Sequence, residues 1–193
     1  MSYHKPNITT INVPGIDGAI HHLQAALTFK YPWMAVFHRA YPFLEWNVAN
    51  TKGLKVPKVW SGGNEYMNIL PNDFLVGQAF FFVTEEEKLT ETHRQFGSEF
   101  NTEVSLIVWV NTSAIPGQTT GPSIAWLKKG IVDLLSYSET VLKVEAMTDQ
   151  DAGSVFDGWS IDDVDTQYLM LPYAGLRVNM VLRYSYSECQ SLL

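Results

Sequence analysis

The chain has 193 residues, 46% hydrophobic and 17% charged, with a net charge of −7 and a lone cysteine, Cys189. That length and apolar content suffice for a sizeable core, and residues 1–193 are read as a single α+β domain. The acidic balance disfavours general nucleic-acid binding, one cysteine excludes an intrachain disulfide or a multi-cysteine metal site, and no apolar run approaches the ~18 residues of a membrane-spanning helix. The opening Met1-Ser2-Tyr3-His4-Lys5-Pro6 lacks the charged-then-apolar layout of a secretory signal, so synthesis in a reducing cytoplasm is expected.

Charge is unevenly spread. Residues 1–60 carry Lys5, Lys30, Arg39, Lys52, Lys55 and Lys58 against Asp17 and Glu45, a balance of +4, so residues 61–193 total −11. Such asymmetry orients a protein between two partners or between copies of itself. An ordinary solvated surface has the same signature.

In chain order, residues 17–29 predict a short helix, with Asp17 placed to cap it and Ile20, Leu23 and Leu27 on one face. His21 and His22 are adjacent, which suits a surface position better than a shared metal. Residues 31–50 crowd Tyr31, Trp33, Phe37, Tyr41, Phe43 and Trp46 between breaks at Pro32 and Pro42, an irregular segment that plugs a core or meets another subunit. The 1–53 region is therefore expected to be helical and aromatic, with the sheet confined to 54–187.

Val56–Trp60 and Glu65–Leu70 flank Ser61-Gly62-Gly63-Asn64 and predict a hairpin, with Pro57 favouring an edge. Phe74–Val83 reads as a strand buried on both faces, and the polar stretch from Thr84 to Asn101, with Glu85, Glu86 and Glu87, as a solvated loop. In Glu103–Val110, Val104, Leu106, Val108 and Val110 share one face and Ser105, Ile107 and Trp109 the other, the pattern of a central strand. Asn111–Gly121 is a polar connection long enough to reach a neighbour.

The main helix is predicted over 122–137, opening at Pro122 and presenting Ile124, Leu127, Ile131, Leu134 and Leu135 to the sheet, with Gly130 marking close packing. Thr140–Met147 alternates as a strand, Leu142, Val144 and Ala146 on its apolar face. The acidic connection 149–165 holds Asp149, Asp151, Asp157, Asp162, Asp163 and Asp165, and Phe156 and Trp159 anchor it to the core. It fails as a calcium loop, because Gly153 and Ser160 stand where ligands are needed. The last strand, Leu176–Tyr186, turns Leu176, Val178, Met180, Leu182 and Tyr184 inward. Arg177 and Arg183 lie on its other face as natural partners for an acidic loop of this chain or a neighbour. Together these elements predict a mixed or antiparallel sheet of about five to six strands, a main helix on one face and an additional N-terminal helix.

No phosphate loop, metalloprotease motif, paired cysteines or nucleophile elbow occurs, and His4, His21, His22, His38 and His93 show no partner spacing. No catalytic residue, cofactor or metal ligand is assigned. The element order resembles the tail-completion or tail-terminator proteins of tailed bacteriophages. The likeness runs over 55–187 and is carried by Glu103–Trp109, the helix Ile124–Leu135 and Phe156-Asp157-Gly158-Trp159-Ser160 leading to Leu171–Arg177. The resemblance implies a non-enzymatic virion protein, made in the host cytoplasm, that closes into a homo-oligomeric ring at the head–tail junction or tail end. The ring would be six-fold in a long tail or twelve-fold beside a portal, with other neck or tail proteins as partners. It implies no membrane and no sequence-specific nucleic acid, with DNA passing through the ring.

The candidate interaction residues are Trp33, Phe37, Tyr41, Trp46, Arg177, Arg183, Asp162 and Asp163, and the connections 84–101 and 111–121 are expected to project towards neighbours. Two alternatives are a small enzyme or ligand-binding domain with segment 31–46 as a pocket wall, and a host-cell adaptor.

Overall fold

The computed structural model describes residues 14–46, 53–63, 65–93, 97–117 and 123–186, with backbone alone at 91–93 and 97. His4, Lys5, Lys52, residues 118–121, Pro122 and Cys189 lie outside the described residues.

Helix α1 (Ile16–Lys30) forms where the apolar spacing predicts, burying Ile20, Leu23 and Leu27. Asp17 does not cap it. The N-cap is Gly15, and Asp17 sits in the first turn, where its charge opposes the positive helix end without accepting a capping bond. From the strand that follows the helix, the His38 ring donates through Nε2 to the Asp17 carbonyl at 3.0 Å, tying helix to sheet.

Among the described residues the sheet is mixed and has eight strands, more than the sequence predicts. They are β1 (Ala35–Trp46), β2 (Gly53–Gly62), β3 (Glu65–Asn68), β4 (Gly77–Val83), β5 (Lys88–His93), β6 (Gly97–Asn111), β7 (Val141–Thr148) and β8 (Tyr173–Tyr186). The order is β3-β2-β1-β4-β6-β8-β7, with β5 paired to β6 off this path. Among the described strands only β1 and β4 pair in parallel.

Two corrections account for the extra strands. The aromatic segment is the extended strand β1, which runs through Pro42 and brings part of the 1–53 region into the sheet. Pro42 stands opposite Pro57, so Pro57 lies on the interior strand β2, not on an edge. The Pro57 carbonyl accepts from the Ile69 amide at 3.2 Å, so its backbone polar side faces β3. The prolines thus meet as a non-hydrogen-bonded pair, where neither nitrogen must donate across the ladder. The second correction concerns the polar stretch after Thr84, which is a hairpin arm of β5 and the start of β6.

Two cores flank the sheet. On one side α1 and α2 (Ala125–Ser136) cover Val104, Leu106, Val108 and Val110 of β6 with Leu176, Val178, Met180 and Leu182 of β8. Gly130 does mark close packing, for the Tyr31 hydroxyl lies against it and Lys30 Nζ donates to its carbonyl at 2.7 Å. On the other side Ile107, Trp109 and Phe80 are covered by Ala152, Val155, Phe156 and Trp159 of the long acidic connection. That segment contains the one-turn helix α3 (Ala152–Val155), capped by Asp151 accepting from Ser154 N at 2.9 Å. The described part of the 111–121 connection does not project. Ile115 is buried in the first core, and the Thr112 amide donates to the Pro172 carbonyl.

Strand β7 departs from simple alternation. Two register shifts, between Val141 and Lys143 and between Val144 and Ala146, place Val141, Val144 and Met147 opposite the inward residues Leu182, Met180 and Val178 of β8. Each extra residue of a bulge resets the pleat, so Leu142 and Ala146 are exposed and not core.

Gly175 lies where a Cβ would strike the Val108 carbonyl oxygen and the Trp109 ring. Gly175→Ala is expected to cost about 1–3 kcal/mol in urea unfolding, whereas Gly53→Ala, whose Cβ would meet only Leu44 Cδ2 at 3.8 Å, stays near wild type. Burial chiefly, with Arg39 and His21, holds the His38 pKa below its ordinary 6.5, while Asp17 opposes the shift. The unfolded chain therefore takes up this proton first, and stability is lost as pH falls through about 6.5 towards the folded value. The melting temperature should drop between pH 7 and pH 5 by less in His38→Gln than in wild type.

Candidate interaction surface

The four aromatic candidates do not converge. Trp33 is partly buried on the first core, 6.1 Å from Tyr31 and 6.4 Å from Trp126 between ring centroids, and close over Gly77. Phe37 is buried in the second core and presents no surface. Tyr41 is half-buried beside Tyr66 at 6.0 Å. Trp46, at the end of β1, is 73% exposed.

What the structure adds is a larger surface at the β1–β3 end of the sheet. Cross-strand partners share a face, so the pairs Tyr41/Lys58 and Trp60/Tyr66 put Tyr41, Phe43, Trp60 and Tyr66 together. Phe43 and Trp60 lie 4.9 and 5.1 Å from Tyr66. Two cations complete this face, Arg39 at 5.2 Å from the Tyr41 centroid and Lys58 at 5.2 Å from that of Phe43. Lys58 also pairs with Glu45 at 2.6 Å. On the reverse face Leu44, Trp46 and Met67 are exposed. Trp60 and Tyr66 were legible as the rings nearest the Gly62-Gly63 turn, but their significance needed the pairing of β1 with β2.

The two arginines have different fates. Arg177 is 8% exposed and clasps the acidic connection to the sheet. Its Nε donates to Ser105 Oγ at 3.2 Å and Asn179 Oδ1 at 3.1 Å, and Nη1 donates to the Asp157 carbonyl at 2.5 Å. Burial lowers its pKa and the Asp157 charge opposes this. Arg177 thus meets the connection of its own chain. Arg183 is half-exposed and lies 4.0 Å from Glu99 on β6. Asp162 and Asp163 are exposed on the connection.

Among the described residues no group of three His, Cys, Asp or Glu side chains is placed to hold a metal, and no helix is long and apolar enough to cross a membrane. An indentation lined by Asn72, Gln78, Trp109, Asn111 and Tyr173 encloses about 10 Å³, room for one water. No family model matches the chain, and no curated protein matches it.

Arg177→Met strips a donor from Ser105, Asn179 and the Asp157 carbonyl, and is expected to destabilise by about 1–3 kcal/mol. Arg183→Met removes only an exposed ion pair and should change stability by less than about 0.5 kcal/mol. Thermal and urea unfolding of the two variants side by side checks the contrast.

Proposed function

We propose that the chain is a non-enzymatic structural protein of a tailed-phage virion. It assembles into a homo-oligomeric ring at the head–tail junction or tail end, alongside other neck or tail proteins, after synthesis in the host cytoplasm. The observation that carries this reading is the β1–β3 end of the sheet, where Leu44, Trp46, Trp60, Tyr66 and Met67 are exposed. Aromatic rings gathered on a flat or protruding surface suit a subunit contact, since Trp and Tyr supply contact area at low entropic cost. A ligand site would gather them round an enclosed cavity with convergent polar groups, whereas here Trp33, Tyr41 and Trp46 lie apart. The likeness in element order to tail-terminator proteins supplies the particular setting, and is an argument from analogy of fold.

A ring built from one kind of subunit needs two different complementary surfaces on each copy. Size-exclusion chromatography with light scattering across protein and salt concentrations should give one discrete multiple of the chain mass, and electron microscopy a closed ring. A strict monomer under every condition, with no assembly on neck or tail proteins, overturns the proposal.

A further inference from the structure

The two cores share no residue, and residues 149–172 contribute to the second alone. There Ala152, Val155, Phe156 and Trp159 pack with Phe80, Ile107 and Trp109, whereas the first core is built entirely without the segment. The strand pairings of the sheet involve none of its residues either. What holds it is a short series of fastenings. Lys128 of α2 pairs with Asp149 at 2.9 Å, Arg177 of β8 donates to the Asp157 carbonyl, Lys55 of β2 exchanges two bonds with Ser160, and Trp109 of β6 donates to the Tyr168 carbonyl.

These fastenings are coupled through one side chain. The Trp109 ring lies 5.4 Å from that of Phe156 while its Nε1 holds the Tyr168 carbonyl at 2.8 Å, so the two halves of the segment rest on the same indole. Lifting either half uncovers the support of the other. The closed position also keeps polar groups from water. Arg177 is 8% exposed, and Trp159 Nε1 is buried without a hydrogen-bond partner among the described residues. Both regain water when the segment lifts, which lowers the cost of opening.

We propose that residues 149–172 open from the sheet as one cooperative unit while α1, α2 and the strands stay folded. A segment with little regular structure, packed in a core of its own, separates at a lower free energy than the whole domain unfolds. The open form is a minor state that bares Phe80, Ile107 and Trp109, an apolar face buried in the closed form. This opening does not depend on assembly into a ring.

Native-state hydrogen exchange on the full chain, followed amide by amide under conditions where rates report opening equilibria, tests it. The amides of Phe156, Ser160 and Leu169, each hydrogen-bonded in the closed form, should open to a common extent, at least about tenfold more often than those of Leu106 and Val178. Ile131→Val, a change in the first core alone, should speed exchange at Leu106 and Val178 about two- to tenfold and leave the three segment amides as in wild type. Ser160→Ala, which deprives the Lys55 amide of its acceptor, should speed all five. Should that variant fail to fold, wild type and Ile131→Val decide the question. Segment amides that open to different extents, or that open no more often than Leu106 and follow Ile131→Val equally, overturn the proposal.

Discussion

A strand that buries Val104, Leu106, Val108 and Val110 on one side and Ile107 and Trp109 on the other must be covered twice, and β6 imposes this demand on the rest of the chain. Each such side chain is worth about 1.5–3 kcal/mol when taken out of water, so neither face can be left open. The helical layer of α1 and α2 meets the demand on one side by the usual means, an apolar stripe on each helix. The other side is closed by residues 149–172, which contain only a single turn of α-helix and a 3₁₀ turn at Thr166–Tyr168.

A cover with so little regular structure must place its backbone polar groups individually. Here the sheet provides the partners. Lys55 N donates to Ser160 Oγ at 2.9 Å and Ser160 N returns a bond to the Lys55 carbonyl at 2.8 Å, fastening the segment to β2. Trp109 Nε1 donates to the Tyr168 carbonyl at 2.8 Å, and Arg177 reaches the Asp157 carbonyl from β8. The acidic residues that dominate the composition of this segment therefore hold it less than Phe156 and Trp159 and these few carbonyls do. Asp157 shows the distinction, its carbonyl bound while its carboxylate, 3.9 Å from Arg177, is 82% exposed.

Elements whose periodicity is set by burial were legible in the sequence. The two faces of β6, the stripe of α2, the inward set of β8 and the anchoring of Phe156 and Trp159 all follow from apolar spacing. What could not be read depended on partners distant in the chain. Pro42 forbids a central strand only until it is known that Pro57 faces it as a non-hydrogen-bonded partner. The inward set of β7 shifts from Leu142, Val144 and Ala146 to Val141 and Val144, because bulges are a property of the β7–β8 ladder and not of β7 alone. Of the candidate surface, Tyr41 and Trp46 were visible but Phe37, chosen on the same compositional ground, is core. The α+β class survived these errors because it needs only the order of elements.

The exposed rings at the β1–β3 end follow from a mismatch of widths. Seven strands on the main path span roughly 29 Å between outer axes at ~4.8 Å per strand. Two helices packed side by side span about 20 Å. The helical layer is thus short of the sheet by about two strands. Contacts of α1 with β1 and β8, and of α2 with β7, place the layer over the β1-to-β7 part of the path. The shortfall falls on β2 and β3, the strands that bring Trp60 and Tyr66 into the open. On the reverse face the acidic connection reaches β2 at Lys55, while Leu44, Trp46 and Met67 stay exposed. The β2–β3 hairpin, which the helical layer does not reach, places apolar area where another molecule can bury it.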